Sequence, residues 1–200
     1  MPEQSSMHAF LNWTKERIDE MDATLASLEA KGDQVKADVK AKADKLLADL
    51  KTRRDEFQAK AKAQAQANDA ALQAAKVQLE SQWTNFEAEV KAYFATIGQQ
   101  IEQQQATFQG VAAAQAKSWR EAADKLREAA KKVAGEQRSG VDAAINKMKA
   151  DAAETEARLQ KLKDAGDESW TALSGALSES RKAFDRANQQ AWDAIKHAAS

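Results

Sequence analysis

The sequence predicts an all-α protein: an elongated antiparallel bundle of long helices, coiled-coil in character, with heptad and eleven-residue repeats. Three observations carry this. First, Leu72, Ala75, Leu79, Trp83, Phe86, Val90, Phe94, Ile97, Ile101, Gln105, Phe108 and Ala112 follow one another in steps of three, four and four. That is an eleven-residue period of about 3.67 residues per turn, a helical spacing that no alternating strand reproduces. Second, Ala, Glu, Lys, Leu and Arg make up about half the chain, the composition of long helices. Third, Leu, Ile, Val and Phe together fall to about 15%, yet the net charge is only −1 and the apolar residues are periodic, which points to helix rather than disorder. Ala carries much of the hydrophobic fraction; it is the best helix former and buries little area. Each helix therefore has a thin apolar stripe, and needs a long interface or a second chain to be stable.

Taken in order, Ser5 or Ser6 offers a side-chain oxygen to cap a first helix. A heptad follows through Ile18, Met21, Leu25, Leu28, Val35, Val39 and Leu46, with Gly32 at one seam position. The step from Leu46 to Leu50 to Phe57 shifts the stripe toward the eleven-residue register. Asp38/Lys42 and Asp49/Arg53 are acid-before-base pairs that suit an exposed helix face. Ala59–Ala67 alternates Ala with polar residues and reads as helix or helix end, because Ala is a poor strand former. Asn68-Asp69 is a turn-prone pair. Between Ile97 and Ala116 the only ionisable side chain is Glu102, while six Gln supply the polarity. That segment is either a solvated Gln-rich face or one packed on more than one side.

Trp119, Ala122, Leu126, Ala130 and Val133 continue the stripe in a shifted phase. Ala134–Gly140 is the strongest break, with two Gly and with Ser139 placed to cap the next helix. Val141, Ile145, Met148, Ala152, Leu159 and Leu162 mark that helix. Asp164–Ser169 is a second break, with Gly166 as C-cap and Asp or Ser as N-cap. Trp170, Leu173, Leu177, Phe184, Trp192 and Ile195 form the last stripe. These breaks give one elongated helical domain over 1–200, with helices at about 6–66, 70–134 and 141–198, each about 90 Å long at 1.5 Å per residue. A competing division puts hairpins at Gly32 and Gly166.

Ser81-Gln82-Trp83, Ser118-Trp119, Ser169-Trp170 and Ala191-Trp192 share a local setting, and the 83/119 and 170/192 spacings are near whole numbers of helical turns. These Trp are core anchors or, on a sharper reading, face a membrane or granule surface. The C-terminal segment LQKLKDAGDESWTALSGALSESRKAFDRANQQAWDAI and the N-terminal run WTKERIDEMDATLASLEAKGDQVKADVKAKADKLLADL resemble a group of bacterial coiled-coil stress-response proteins with Trp-containing C-terminal repeats. The likeness covers about half the chain, leaving out residues 60–140. It implies a cytoplasmic helical protein with no catalytic residues to transfer. The eleven- and 22-residue periods are also similar to those of exchangeable apolipoproteins, although Pro2 is the only proline here. Phasins share Ala/Gln-rich amphipathic helices, but no diagnostic phasin motif is present.

The chain holds no Cys and two His, His8 and His197, one at each end. It therefore lacks a thiol nucleophile, a disulfide framework and any HxxxH or ExxH spacing for metal. No phosphate loop or nucleophile elbow occurs. No signal peptide opens the sequence, and no apolar run reaches the roughly 20 residues of a membrane span. A pI near 6.2 argues against a nucleic-acid binder. Basic residues thicken at 36–62 and 117–138, but interleaved acids make these solvated faces. The expectation is a non-enzymatic, cofactor-free, cytoplasmic scaffolding protein, stress-related by resemblance. It would form a homo-oligomer through a seam of Trp83, Phe86, Val90, Phe94, Ile97, Ile101, Phe108, Trp119, Trp170 and Trp192. The alternative is reversible binding to a lipid or granule surface, and an adaptor gripping a partner helix would use the same face.

Overall fold

The computed structural model describes residues 2–98, 101–133, 138–166 and 169–198. Its elements are α1 (Pro2–Ala30), a 3₁₀ turn at Gly32–Gln34, α2 (Ala37–Ala63), α3 (Asp69–Ile97), α4 (Ile101–Ala130), α5 (Arg138–Ala165) and α6 (Trp170–Ala198). Among the described residues there is no strand, so the fold is an all-α bundle.

The three helices of about 60 residues are corrected to six of 27 to 30. Each is therefore about 43 Å long at 1.5 Å per residue. Each expected long helix folds back near its middle. Val35 and Lys36 are extended after the 3₁₀ turn, and Gly98 and Gly166 take φ of 77° and 76°. The physical reason is the thin stripe: folding back at half length lets helices of one chain cover one another's apolar faces. Both glycines of the competing division lie at helix junctions, beside the breaks near 68 and beyond Val133.

Gly98, at φ 77° and ψ 158°, occupies a region that only glycine enters readily. Gly98→Ala is expected to cost about 1–3 kcal/mol for that reason. Gly32 has no positive φ, and a methyl group added there would meet open space, so it should accept Ala with little change. Paired thermal melts of the two variants check this contrast.

The caps follow the sequence in part. Asn68 is the N-cap of α3, its side chain accepting from the Ala71 N–H at 3.0 Å. Ser169 accepts from the Ala172 N–H at 3.4 Å at the start of α6. Ser5 and Ser6 instead lie inside α1, which begins at Pro2, a residue suited to a first helical position. Ser139 likewise falls inside α5 rather than capping it, and Ala134–Gln137 lie outside the described residues.

The helices run alternately up and down. Asn12 meets Lys125 and Ser27 meets Thr107, so α1 and α4 are antiparallel. The Glu20–Arg181 and Asn12–Asn188 contacts set α6 antiparallel to α1. The Asp22–Arg54 contact does the same for α2. Helix α1 lies at the centre, packed on α2, α3, α4 and α6, while α5 packs on α4 and α6.

Two halves emerge, each with an apolar interior. Residues of α1–α3, among them Trp13, Met21, Leu28, Leu50, Phe57 and Phe86, form one core. Residues of α4–α6, including Trp119, Leu126, Met148, Phe184 and Trp192, form a second, with a smaller cluster around Phe108, Val111 and Leu177. Between the halves lies a buried polar layer: Asn12, Glu16, Arg17, Glu20 and Thr24 of α1 against Gln115 and Ser118 of α4 and Arg181 and Asn188 of α6.

Candidate functional site

The ten seam residues do not make one continuous face. Trp83, Phe86, Val90, Phe94 and Ile97 are buried in the α1–α3 core. Phe108 lies in the small cluster of α4–α6, and Trp119 and Trp192 lie in the larger one. Trp170, half-buried, touches both the α1–α3 core and the Phe108 cluster and stacks near Phe94, with centroids 4.6 Å apart. Ile101 is a correction: it is 47% exposed. The chain breaks at Gly98, so Ile101 begins a new helix and the eleven-residue register does not carry it inward. The same break puts Trp83 and Trp119 on different helices, which removes their shared face.

The Gln-rich segment resolves toward packing. Gln103, Gln104, Gln105 and Gln115 are buried, whereas Gln109 is exposed. Gln104 accepts from the Trp170 N–H at 3.0 Å. Gln115 donates to Glu20 at 3.0 Å and to the Leu177 carbonyl at 3.1 Å. Gln99 and Gln100 lie outside the described residues.

Four seam residues converge where α3 and α6 stand apart over α1 and α4. Trp83, Phe86, Val90 and Trp170, with Val111 and Leu177, line a cleft of about 400 Å³. Small side chains edge it: Thr84 and Ala88 on α3, and Ser174, Gly175 and Ser178 on α6. The volume lies within the range of small-molecule sites. Elsewhere the surface is polar. Among the described residues only Val77 and Ile101 are exposed large apolar side chains, and single residues of this kind are ordinary.

One end of the cleft is closed by ions that no sequence pattern announced. Arg181 grips Glu20 through Nε (3.2 Å) and Nη2 (2.8 Å), and donates to Glu87 through Nη1 (2.8 Å). Its guanidinium lies 4.3 Å from the Trp83 ring centroid. Behind it, Arg17 donates to both oxygens of Asp185 at 3.0 and 2.6 Å and pairs with Glu16. Burial pushes the Glu16 carboxyl well above its ordinary value; Arg17 opposes this and the neighbouring Glu20 adds to it. Burial acts on Glu20 in the same sense, but the Arg181 guanidinium beside it wins and holds it below the usual value. Asn12, Glu16, Glu20 and Thr24 recur every four residues, so a second, polar stripe runs beside the apolar one. That spacing was the available signal, and it reads like a solvated face until α6 is laid over it.

His8 is exposed but stacks on Trp192, centroids 4.8 Å apart. Burial and then Lys125 and Lys132 lower its pKa. Among the described residues no group of three or more His, Asp or Glu is placed to hold a metal ion. No helix is long and apolar enough to cross a membrane. No protein-family model, curated protein or solved structure matches the chain.

Proposed function

We propose that the protein is a non-enzymatic, cytoplasmic helical scaffold that keeps amphipathic helices closed within one chain and binds lipid or granule surfaces reversibly. The observation that supports this best is the fate of the stripes. Nine of the ten seam residues are turned inward or half-inward, and they open to solvent space at the α3/α6 cleft. A bundle of this kind needs no second chain to cover its stripes, yet six short amphipathic helices can lay those stripes on an interface once they part. Flotation with vesicles of neutral and anionic lipid, followed by tryptophan fluorescence, tests the reading. Co-flotation with a blue shift is expected; absence of both across lipid charges rejects it.

Self-association as a homo-oligomeric scaffold is a second reading, favoured by the polar layer between α1–α3 and α4–α6. Two chains exchanging halves would satisfy that layer as well as one chain does, a low-cost route to a dimer. A stress-related role rests on the resemblance of the two terminal segments.

A further inference from the structure

We infer that the α3/α6 cleft is a binding site for a single medium-chain carboxylate, its alkyl chain in the cleft and its head group at the Trp83–Lys91 end. The inference deepens the surface-binding reading by giving one of its stripes a defined ligand.

Four observations carry it. The inner wall is apolar, formed by Phe86, Val90, Val111 and Leu177, with Trp170 at the far end, and it suits an alkyl chain. Its volume of about 400 Å³ is too small for a helix about 10 Å across and within the range of small ligands. At the other end are donors without partners. Trp83 is 7% exposed, lines the cleft, and its indole N–H has no acceptor among the described residues. Only three of Arg181's hydrogen-bond donations are engaged, to Glu20 and Glu87, out of the five N–H groups of a guanidinium. Finally, Lys91 stands exposed on the rim and forms no ion pair among the described residues.

The spacing of Trp83, Glu87 and Lys91 by four residues puts all three on one face of α3. Helical side chains lean toward the N-terminus, so the Lys91 ammonium reaches back over the Glu87 turn. A head group at that level meets the Trp83 N–H from one side and Lys91 from the other. Arg181 and Lys91 offset the charges of Glu20 and Glu87, so the carboxylate adds to a locally balanced set. A cationic head would find its acidic partners already gripped by Arg181.

Isothermal titration with dodecanoate below its micelle concentration tests this on the full chain, with dodecyltrimethylammonium and dodecanol as head-group comparators. Saturation at one dodecanoate per chain is expected, with the cationic analogue at least tenfold weaker. Gly175→Leu fills the cleft from a helical position where an added Cβ meets nothing within 4 Å. It should melt at or above the parent temperature and lose binding by tenfold or more. Lys91→Glu should lower affinity for dodecanoate and leave dodecanol unchanged. No saturable binding, or equal binding by Gly175→Leu, overturns the inference. Vesicle flotation run in parallel separates the two proposals. Flotation without dodecanoate binding rejects the cleft and keeps the surface reading, whereas dodecanoate binding without flotation does the reverse.

Discussion

Glu20→Gln is expected to destabilise the protein by about 3–5 kcal/mol, because it leaves the Arg181 guanidinium buried without its bidentate partner. Glu20 is 1% exposed and Arg181 6%, so water does not replace the lost carboxylate. Burial alone works against the charge on both, and only their mutual grip keeps them ionised. Glu16, one turn away and fully buried, is the control. Its carboxyl is pushed up, chiefly by burial, so the protonated form is the one the fold prefers. Glu16→Gln mimics that form and is expected to cost far less.

The two acids also have opposite pH dependence. Glu20, held below its ordinary value, contributes stability that is present above that value and is lost as pH falls through the folded-state value. Glu16, raised in the fold, contributes stability that is present below its ordinary value and is lost as pH rises through the folded-state value. Urea melts across pH should therefore show Glu16→Gln flattening the alkaline decline, and Glu20→Gln removing the acid-side loss. If the two variants are equally stable at neutral pH, the assignment of roles within the cluster is wrong.

Phe94→Asp is expected to have a comparably large effect. Truncating a buried Phe costs about 3–5 kcal/mol, and an unpaired carboxylate in its place adds to that. Phe94 is buried between Tyr93 and Trp170, the latter ring 4.6 Å away. Ile101→Asp, seven residues on in the same eleven-residue pattern, should stay within about 0.5 kcal/mol of the parent, as exposed substitutions do. Chemical denaturation of the pair checks whether the pattern is read through Gly98 or stops there. Equal losses would restore Ile101 to the core.

That pair also shows how far the sequence could be read. The period from Leu72 to Ile97 identified α3 and its inward face residue by residue, because one helix carries it and burial follows a 3.6-residue geometry. The same period ran on through Ile101 and Phe108, where the helix does not. Gly98 was the sole local mark of that corner, and a lone Gly costs a helix only about 1 kcal/mol. Whether the chain turns at such a residue is decided by what its stripe meets after turning. Asn68 and Ser169 were visible because a cap is a local hydrogen bond. The cluster of Glu16, Arg17, Glu20, Glu87 and Arg181 was not, because its partners lie up to 161 residues apart. Each of these side chains, seen on its own helix, has the spacing of an ordinary solvated face. The cleft was half legible: Trp83, Phe86, Val90 and Trp170 stood out as apolar anchors, but their gathering around one opening depends on the tertiary placement of α6.

The central claim is that one chain covers its own apolar stripes, and the mass of the native particle tests it most directly. Sedimentation equilibrium across micromolar concentrations should return 21.9 kDa, the mass of a single chain, with full helicity. A larger particle that loses its helices whenever it dissociates would show that the stripes are covered between chains, and would contradict the account.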